Sequence, residues 1–203
     1  LDAFDMVEEE MDNIRQALSW SIGTDPAVAL QLAADLGWYW NQRGHWVEAL
    51  HWQAECQQRC RGARSRAMAW MLARKSFMHS QYADGDTATR EAEGASEIAS
   101  EQNDDRCIAW CEISLAFAQV HGRRQTRGRA EYLATLDHCT TALDIFRRMD
   151  DQSGVASALL FQVLAWWLHG DADRAQRLAV EAARIARHAG PRTMSSATAY
   201  LLG

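Results

Sequence analysis

Apolar residues recur along the first stretch of the chain at Phe4, Val7, Met11, Ile14, Leu18 and Ile22, in steps of three and four that gather them on one helical face. The spacing predicts a leading amphipathic helix over 1–22. Gly23 closes it. Thr24-Asp25-Pro26 then restarts the chain with a capping side chain and a proline at the first helical position, where the missing N–H costs nothing. A second helix is expected from Pro26 to Arg43.

Beyond it, Gly44, Gly85, Gly122 and Gly170 each follow one helical stretch and precede another, at intervals of roughly 40 residues, the signature of stacked helix hairpins. Around Gly44, Leu36-Gly37, Trp40, Ala49 and Cys56 fall where the tetratricopeptide pattern has a leucine-glycine pair, an aromatic and two small residues. Around Gly170, Leu159, Val163, Trp166, Ala175 and Ala182 occupy the same frame. Small residues there let the two helices of a hairpin cross closely. The middle units fit less well. Ala88, Ala92, Ala95 and Ala99 share a stripe, but Arg90 takes the small position after Gly85, and a basic stretch from Arg123 to Arg129 is inserted after Gly122. A second echo links Ala95-Ser96-Glu97-Ile98, Ala142-Leu143-Asp144-Ile145 and Ala182-Ala183-Arg184-Ile185, the first two running into the acidic breaks Asn103-Asp104-Asp105 and Asp150-Asp151. The expectation is one all-α domain over 1–203, an antiparallel helix-hairpin (TPR-like) right-handed solenoid of nine or ten helices. It comprises the leading helix over 1–22, about four hairpin units from 26 to 190, and a truncated final helix over 193–203.

Composition agrees. With 2 prolines and 12 glycines in 203 residues the chain lacks the punctuation of sheets and hairpin turns, and 48% hydrophobic residues with 9 tryptophans suffice for a large core. A net charge of −6 argues against a dedicated phosphate-contacting surface, so no direct nucleic-acid partner is expected. Five cysteines, two pairs of them at helical i, i+4 spacing, do not resemble a secreted disulfide framework and suit a reducing, cytoplasmic setting. No apolar run approaches a membrane span. The start Leu1-Asp2-Ala3-Phe4 is neither a signal peptide nor an initiator methionine, which suggests a piece of a longer protein.

The stretch Glu10-Met11-Asp12-Asn13-Ile14-Arg15-Gln16-Ala17-Leu18-Ser19-Trp20 resembles the segment that opens the helical C-terminal arm of bacterial signal-transduction (STAND) ATPases. The following run from Leu36 to Trp52 is similar to the aromatic-rich helix, Arg-Gly-His turn and Glu-containing helix that come next in that family. Together they cover about the first quarter of the chain. The resemblance implies a tetratricopeptide-like arm of a multidomain regulator, such as a LuxR-type or antibiotic-regulatory activator or a class III cyclase regulator. Such an arm receives a small inducer or a protein segment and controls its own upstream ATPase domain. A structural scaffold that mediates homo-oligomerisation is the alternative.

No catalytic constellation is visible: Lys75 stands in Ala73-Arg74-Lys75-Ser76 without the glycines of a phosphate-binding loop, and there is no nucleophile elbow or His-Glu-x-x-His helix. Cys56 with Cys60, and Cys107 with Cys111, have a spacing that can chelate a soft metal beside His51 or His138-Cys139, but small buried hydrophobe is the ordinary role of free cysteine. No cofactor or metal is therefore expected. The glycine-anchored register turns Asp35, Trp38, Asn41 and Gln42, then Lys75, His79 and Tyr82, then Glu112 and Gln119, and finally Phe161, Leu164 and Trp167 toward the concave groove, as a peptide or ligand site. Arg123, Arg124, Arg127 and Arg129 form a candidate partner-contact loop.

Overall fold

The structure, a computed structural model, describes residues 3–82, 84–122 and 129–189. Among these it is entirely helical: α1 (Ala3–Glu9), α2 (Met11–Thr24), α3 (Pro26–Arg43), α4 (Trp46–Arg59), α5 (Arg66–Gln81), α6 (Gly85–Glu101), α7 (Asp105–Gly122), α8 (Arg129–Arg148), α9 (Gln152–His169) and α10 (Ala172–Ala189). The leading stripe is divided at Glu10, whose φ of −97° and ψ of 3° leave the helical region, so 1–22 is not one rod but two helices. The expected helix over 193–203 lies outside the described residues.

Most helices start on a short side chain that accepts from the backbone N–H three residues on. Asp25 accepts from Val28 at 3.4 Å, Ser65 from Met68 at 3.2 Å, Asp84 from Thr87 at 3.2 Å, Asp104 from Cys107 at 3.0 Å, Asp151 from Gly154 at 3.0 Å and Asp171 from Arg174 at 3.0 Å. Each satisfies a donor that the first turn otherwise leaves without a partner. Two of the four punctuating glycines do the work expected of them. Gly44 (φ +74°) and Gly170 (φ +94°) end α3 and α9 in the left-handed conformation that glycine adopts without strain. Gly85 instead begins α6 and is buried, and Gly122 is the last residue of α7. Between hairpins the same left-handed position is taken by Asn103 (φ +53°) and Asp150 (φ +54°), each immediately before an aspartate cap. That is the structural content of the acidic breaks.

Counted from the caps rather than from the glycines, the repeat is regular. Ala49 and Cys56 after His45, Ala88 and Ala95 after Asp84, and Ala175 and Ala182 after Asp171 stand at identical offsets, all buried. Arg90 is exposed and its guanidinium donates to Thr87, so the apparent misfit comes from anchoring α6 on Gly85, one residue past its cap.

The packing forms two layers. The first helices of the hairpins, α3, α5, α7 and α9, touch one another in series, whereas α4, α6, α8 and α10 pack mainly on their neighbours along the chain. One core lies among α2–α7, around Leu18, Trp40, Met71 and Met78. A second fills α7–α9 and reaches α10 through Ala182, around Ile113, Phe146 and Leu159. Between α8 and α9 the approach is close enough that a Cβ on Gly154 would lie 2.1 Å from the Phe146 ring. No described helix is long and apolar enough to cross a membrane.

Candidate ligand-binding face

On α5, Trp70, Arg74 and Phe77 form a stripe at i, i+4 and i+7. Ser76, whose hydroxyl donates to the Ala88 carbonyl at 2.7 Å, marks the side that faces α6, and the stripe lies away from it. All three side chains are half-buried, as expected for a layer that is covered by neighbouring first helices and open on its inner side. Neighbours of the same kind meet them. Phe77 stacks on Phe117 of α7 with centroids 4.5 Å apart, and both meet Phe161 of α9 edge-on at 6.0 and 5.4 Å. Trp38 of α3 meets Trp110 of α7 at 5.7 Å, a contact that skips α5 and closes over it. The inner face is thus an aromatic strip running across four helices.

Arg74 sits inside this strip. Its guanidinium carbon lies 5.0 Å from the Trp38 ring, 5.1 Å from Trp70 and 4.7 Å from Trp110, a threefold cation–π arrangement. Gly37 makes room for its stem, since a Cβ there would come within 2.8 Å of Arg74 Cγ. Burial lowers Arg74 from its ordinary value to about 10. No described residue forms an ion pair or hydrogen bond with it.

The expected groove residues divide. Trp38 and Phe161 belong to the inner strip. Lys75, His79, Glu112 and Gln119 do not: they point into the hairpins. Lys75 Nζ is 2.9 Å from Glu91 and donates to Gln57 at 2.8 Å, His79 Nδ1 lies 2.6 Å from the other Glu91 oxygen, Glu112 pairs with His138 at 2.7 Å, and the Gln119 amide oxygen accepts from Thr135 at 3.1 Å. The reason is register. Counted back from the caps His45 and Asp84, Phe77 is the equivalent of Trp38 and Arg74 of Asp35, and the two-residue slip from Phe77 to His79 turns a helix by about 200°. Asp35 is exposed and accepts from Gln31 at 2.9 Å. Asn41 is half-buried, with its backbone carbonyl accepting from Trp46 Nε1 at 3.2 Å, and Gln42 is half-buried. Tyr82 stands against Trp46 at the end of α5, Leu164 is half-buried, and Trp167 is exposed. Arg123, Arg124 and Arg127 lie outside the described residues, and Arg129 opens the α8 backbone. Sequence reasoning passed over Arg74, Trp70, Phe77, Trp110 and Phe117. Their signal was present, since the cap-anchored register selects Arg74 and Phe77.

The cysteines are free. Burial pushes Cys56 up to about 11 and Cys139 up to about 12, while the Cys107 contact and burial raise Cys111, so these thiols stay protonated near neutral pH. Among the described residues no three His, Cys, Asp or Glu side chains converge as a metal site. A cleft of about 550 Å³ opens where α4 stands away from α6, lined by Gln57, Arg61, Arg64, Met68, Leu72 and Ile98 among others. Arg64 in its wall is committed to Glu101 at 2.6 Å and Glu97 at 2.9 Å. Its lining carries no aromatic side chain, which distinguishes the cleft from the inner strip.

The chain matches no family model and no curated protein. Among solved structures it is similar to BtubC (BKLC) from P. vanneervenii, with 17% sequence identity and a TM-score of 0.65 over 96% of this chain and 78% of that one. At that identity the likeness bears on architecture alone, and with the ten described helices it establishes an all-α helical-repeat fold.

Proposed function

We propose that this chain is a non-catalytic binding arm, the ligand- or segment-receiving part of a bacterial signal-transduction ATPase regulator, cytoplasmic and acting on an ATPase domain of its own parent protein. The observation that carries the reading is the half-open aromatic strip, in which half-buried Trp38, Trp70, Phe77 and Phe161 lie across α3, α5 and α9 against the buried Trp110 and Phe117 of α7. Aromatic surface held on rigid helices with one polar anchor is what a ligand site requires. The regulator parentage rests on the resemblance of Glu10–Trp20 and Leu36–Trp52. Part of that stretch is a joint: Arg15 forks onto Glu48 at 2.7 and 2.9 Å, clamping α2 to α4.

The alternative, an oligomerisation scaffold without a ligand, is favoured by the exposure of Trp20 and Val47, 68% and 77%, on surfaces away from the strip. One experiment separates the two. Fractions of a bacterial cytosolic metabolite extract are titrated against the tryptophan fluorescence of the chain while its mass is followed by light scattering. A saturable shift in a monomer supports the arm. No shift from any fraction, with a stable multimer present, transfers support to the scaffold.

A further inference from the structure

The cations that neighbour Arg74, the buried Lys75 and the exposed Arg106 and Arg66, are each ion-paired. Lys75 has Glu91 at 2.9 Å, Arg106 has Asp151 at 2.9 Å, and Arg66 pairs with Asp104. Arg74 alone among these four has rings on three sides and no acid, in a chain that carries 27 aspartates and glutamates. Even half-buried, a cation packed among rings without a counter-ion gives up part of its hydration, which a bound anion would replace.

We propose that Arg74, held between Trp38, Trp70 and Trp110, is the receptor for the carboxylate of a planar, apolar monocarboxylic acid. Three features narrow the ligand to this class. A guanidinium presents parallel N–H donors in a fork that a carboxylate accepts two at a time. There is one cation and no second one free beside it, and the chain is already at −6, so a single negative charge fits where a phosphate dianion would remain undercompensated. The indole faces around the fork offer flat apolar walls to a flat apolar body. Trp38 meets Trp110 at 5.7 Å, so rings close one side of the guanidinium, which favours a compact molecule over a chain running past it. The lowered basicity of Arg74 agrees, because a bound carboxylate relieves the cost of keeping the buried group charged and so stabilises the fold.

The inference rests on reading the chain as a ligand-binding arm, and the two fail separately. The probes are 2-naphthoate, its neutral analogue 2-naphthamide, acetate and inorganic phosphate, followed by tryptophan fluorescence and melting temperature on the whole chain. Naphthoate should bind saturably and raise the melting temperature, with the amide, acetate and phosphate much weaker. Arg74→Met, which keeps the stem over Gly37, should lose about ten- to hundredfold in naphthoate affinity, the worth of a charge-assisted pair. Arg74→Lys, with charge but no fork, should fall between. Equal binding of naphthoate and naphthamide, or naphthoate affinity unchanged in Arg74→Met, overturns the assignment and leaves Arg74 as cation–π glue between helices. So does the absence of any saturable response at millimolar naphthoate, and so does tighter binding of a short peptide with a free C-terminal carboxylate, which would replace the small acid. Should Arg74→Met lose its helical circular dichroism, the naphthoate–naphthamide comparison on the unaltered protein still decides. A metabolite fraction that shifts wild type and Arg74→Met alike preserves the binding arm while removing the carboxylate receptor. No response of the wild type to any fraction or probe removes both.

Discussion

Asp104 concentrates more of the fold in one side chain than any residue with a visible sequence signature would suggest. Its carboxylate caps α7 through the Cys107 N–H, accepts Trp70 Nε1 at 2.9 Å and pairs with Arg66, all while 3% exposed. Burial by itself would raise its pKa. The hydrogen bonds from Cys107, Arg66 and Trp70 outweigh burial and hold it below the ordinary aspartate value. A carboxylate whose folded pKa lies below its unfolded one stabilises the protein fully above about pH 4, and that contribution fades as pH falls through the folded value. Asp104→Ala removes the cap and strands an indole N–H, so chemical denaturation at pH 7 should show a loss of about 2–4 kcal/mol. The difference between wild type and variant should shrink on the acid side. A difference that stays constant down to pH 2 would show that the charge of Asp104 contributes nothing. Because Asp104 also positions Trp70, one of the three rings around Arg74, the cap of one repeat and the inner face are joined at a single atom group.

Among the elements, α8 and α9 cross closely at Gly154. Phe146 is fully buried against the backbone of Gly154, at the start of α9. Alanine at this position has nowhere to put its methyl group, since the atom 2.1 Å away belongs to a ring in the core and not to the end of a flexible chain. Gly154→Ala should therefore cost about 1–3 kcal/mol by overpacking, even though alanine is the better helix former. Thermal unfolding followed by circular dichroism checks the sign: a rise in melting temperature would mean that α9 can move away from Phe146 without loss. At Gly37 the same geometry has a different use, because the space left by the missing Cβ is filled by the stem of Arg74. The leucine-glycine pair of the repeat pattern is thus, in this chain, what seats Arg74 in the inner strip.

At the level of the whole molecule the aromatic strip ties the two cores together. Trp38 and Trp70, which belong to α3 and α5, also pack against the C-terminal cluster, and Trp110 meets both Trp38 and Phe146. A repeat array whose units contact only their neighbours opens unit by unit, whereas side chains that span two helices make the units open together. Trp110→Ala removes the central ring and should lower stability by about 3–5 kcal/mol. It should also let α9 and α10 exchange their amide hydrogens independently of α3 and α5, as read by native-state hydrogen exchange. If protection in the two halves continues to fall in step, coupling runs through the backbone stack and not through the strip.

How much of this was legible before folding follows from what each feature depends on. Helical class, hairpin repetition and the buried alanines at the crossings are local or periodic properties, set by residue spacing and side-chain size, and they stand in the structure at the expected residues, Ala49, Cys56, Ala175 and Ala182 among them. The division of 1–22 at Glu10 and the true anchors of the middle repeat were less visible, because a glycine and an aspartate cap are both turn signals and only the backbone shows which of Gly85 and Asp84 begins the helix. The inner face was decided by tertiary structure. Whether a helical side chain meets its hairpin partner or the next repeat depends on a rotation that a two-residue error reverses, and so Lys75 and His79 went to Glu91 while Arg74 went to three tryptophans from three helices.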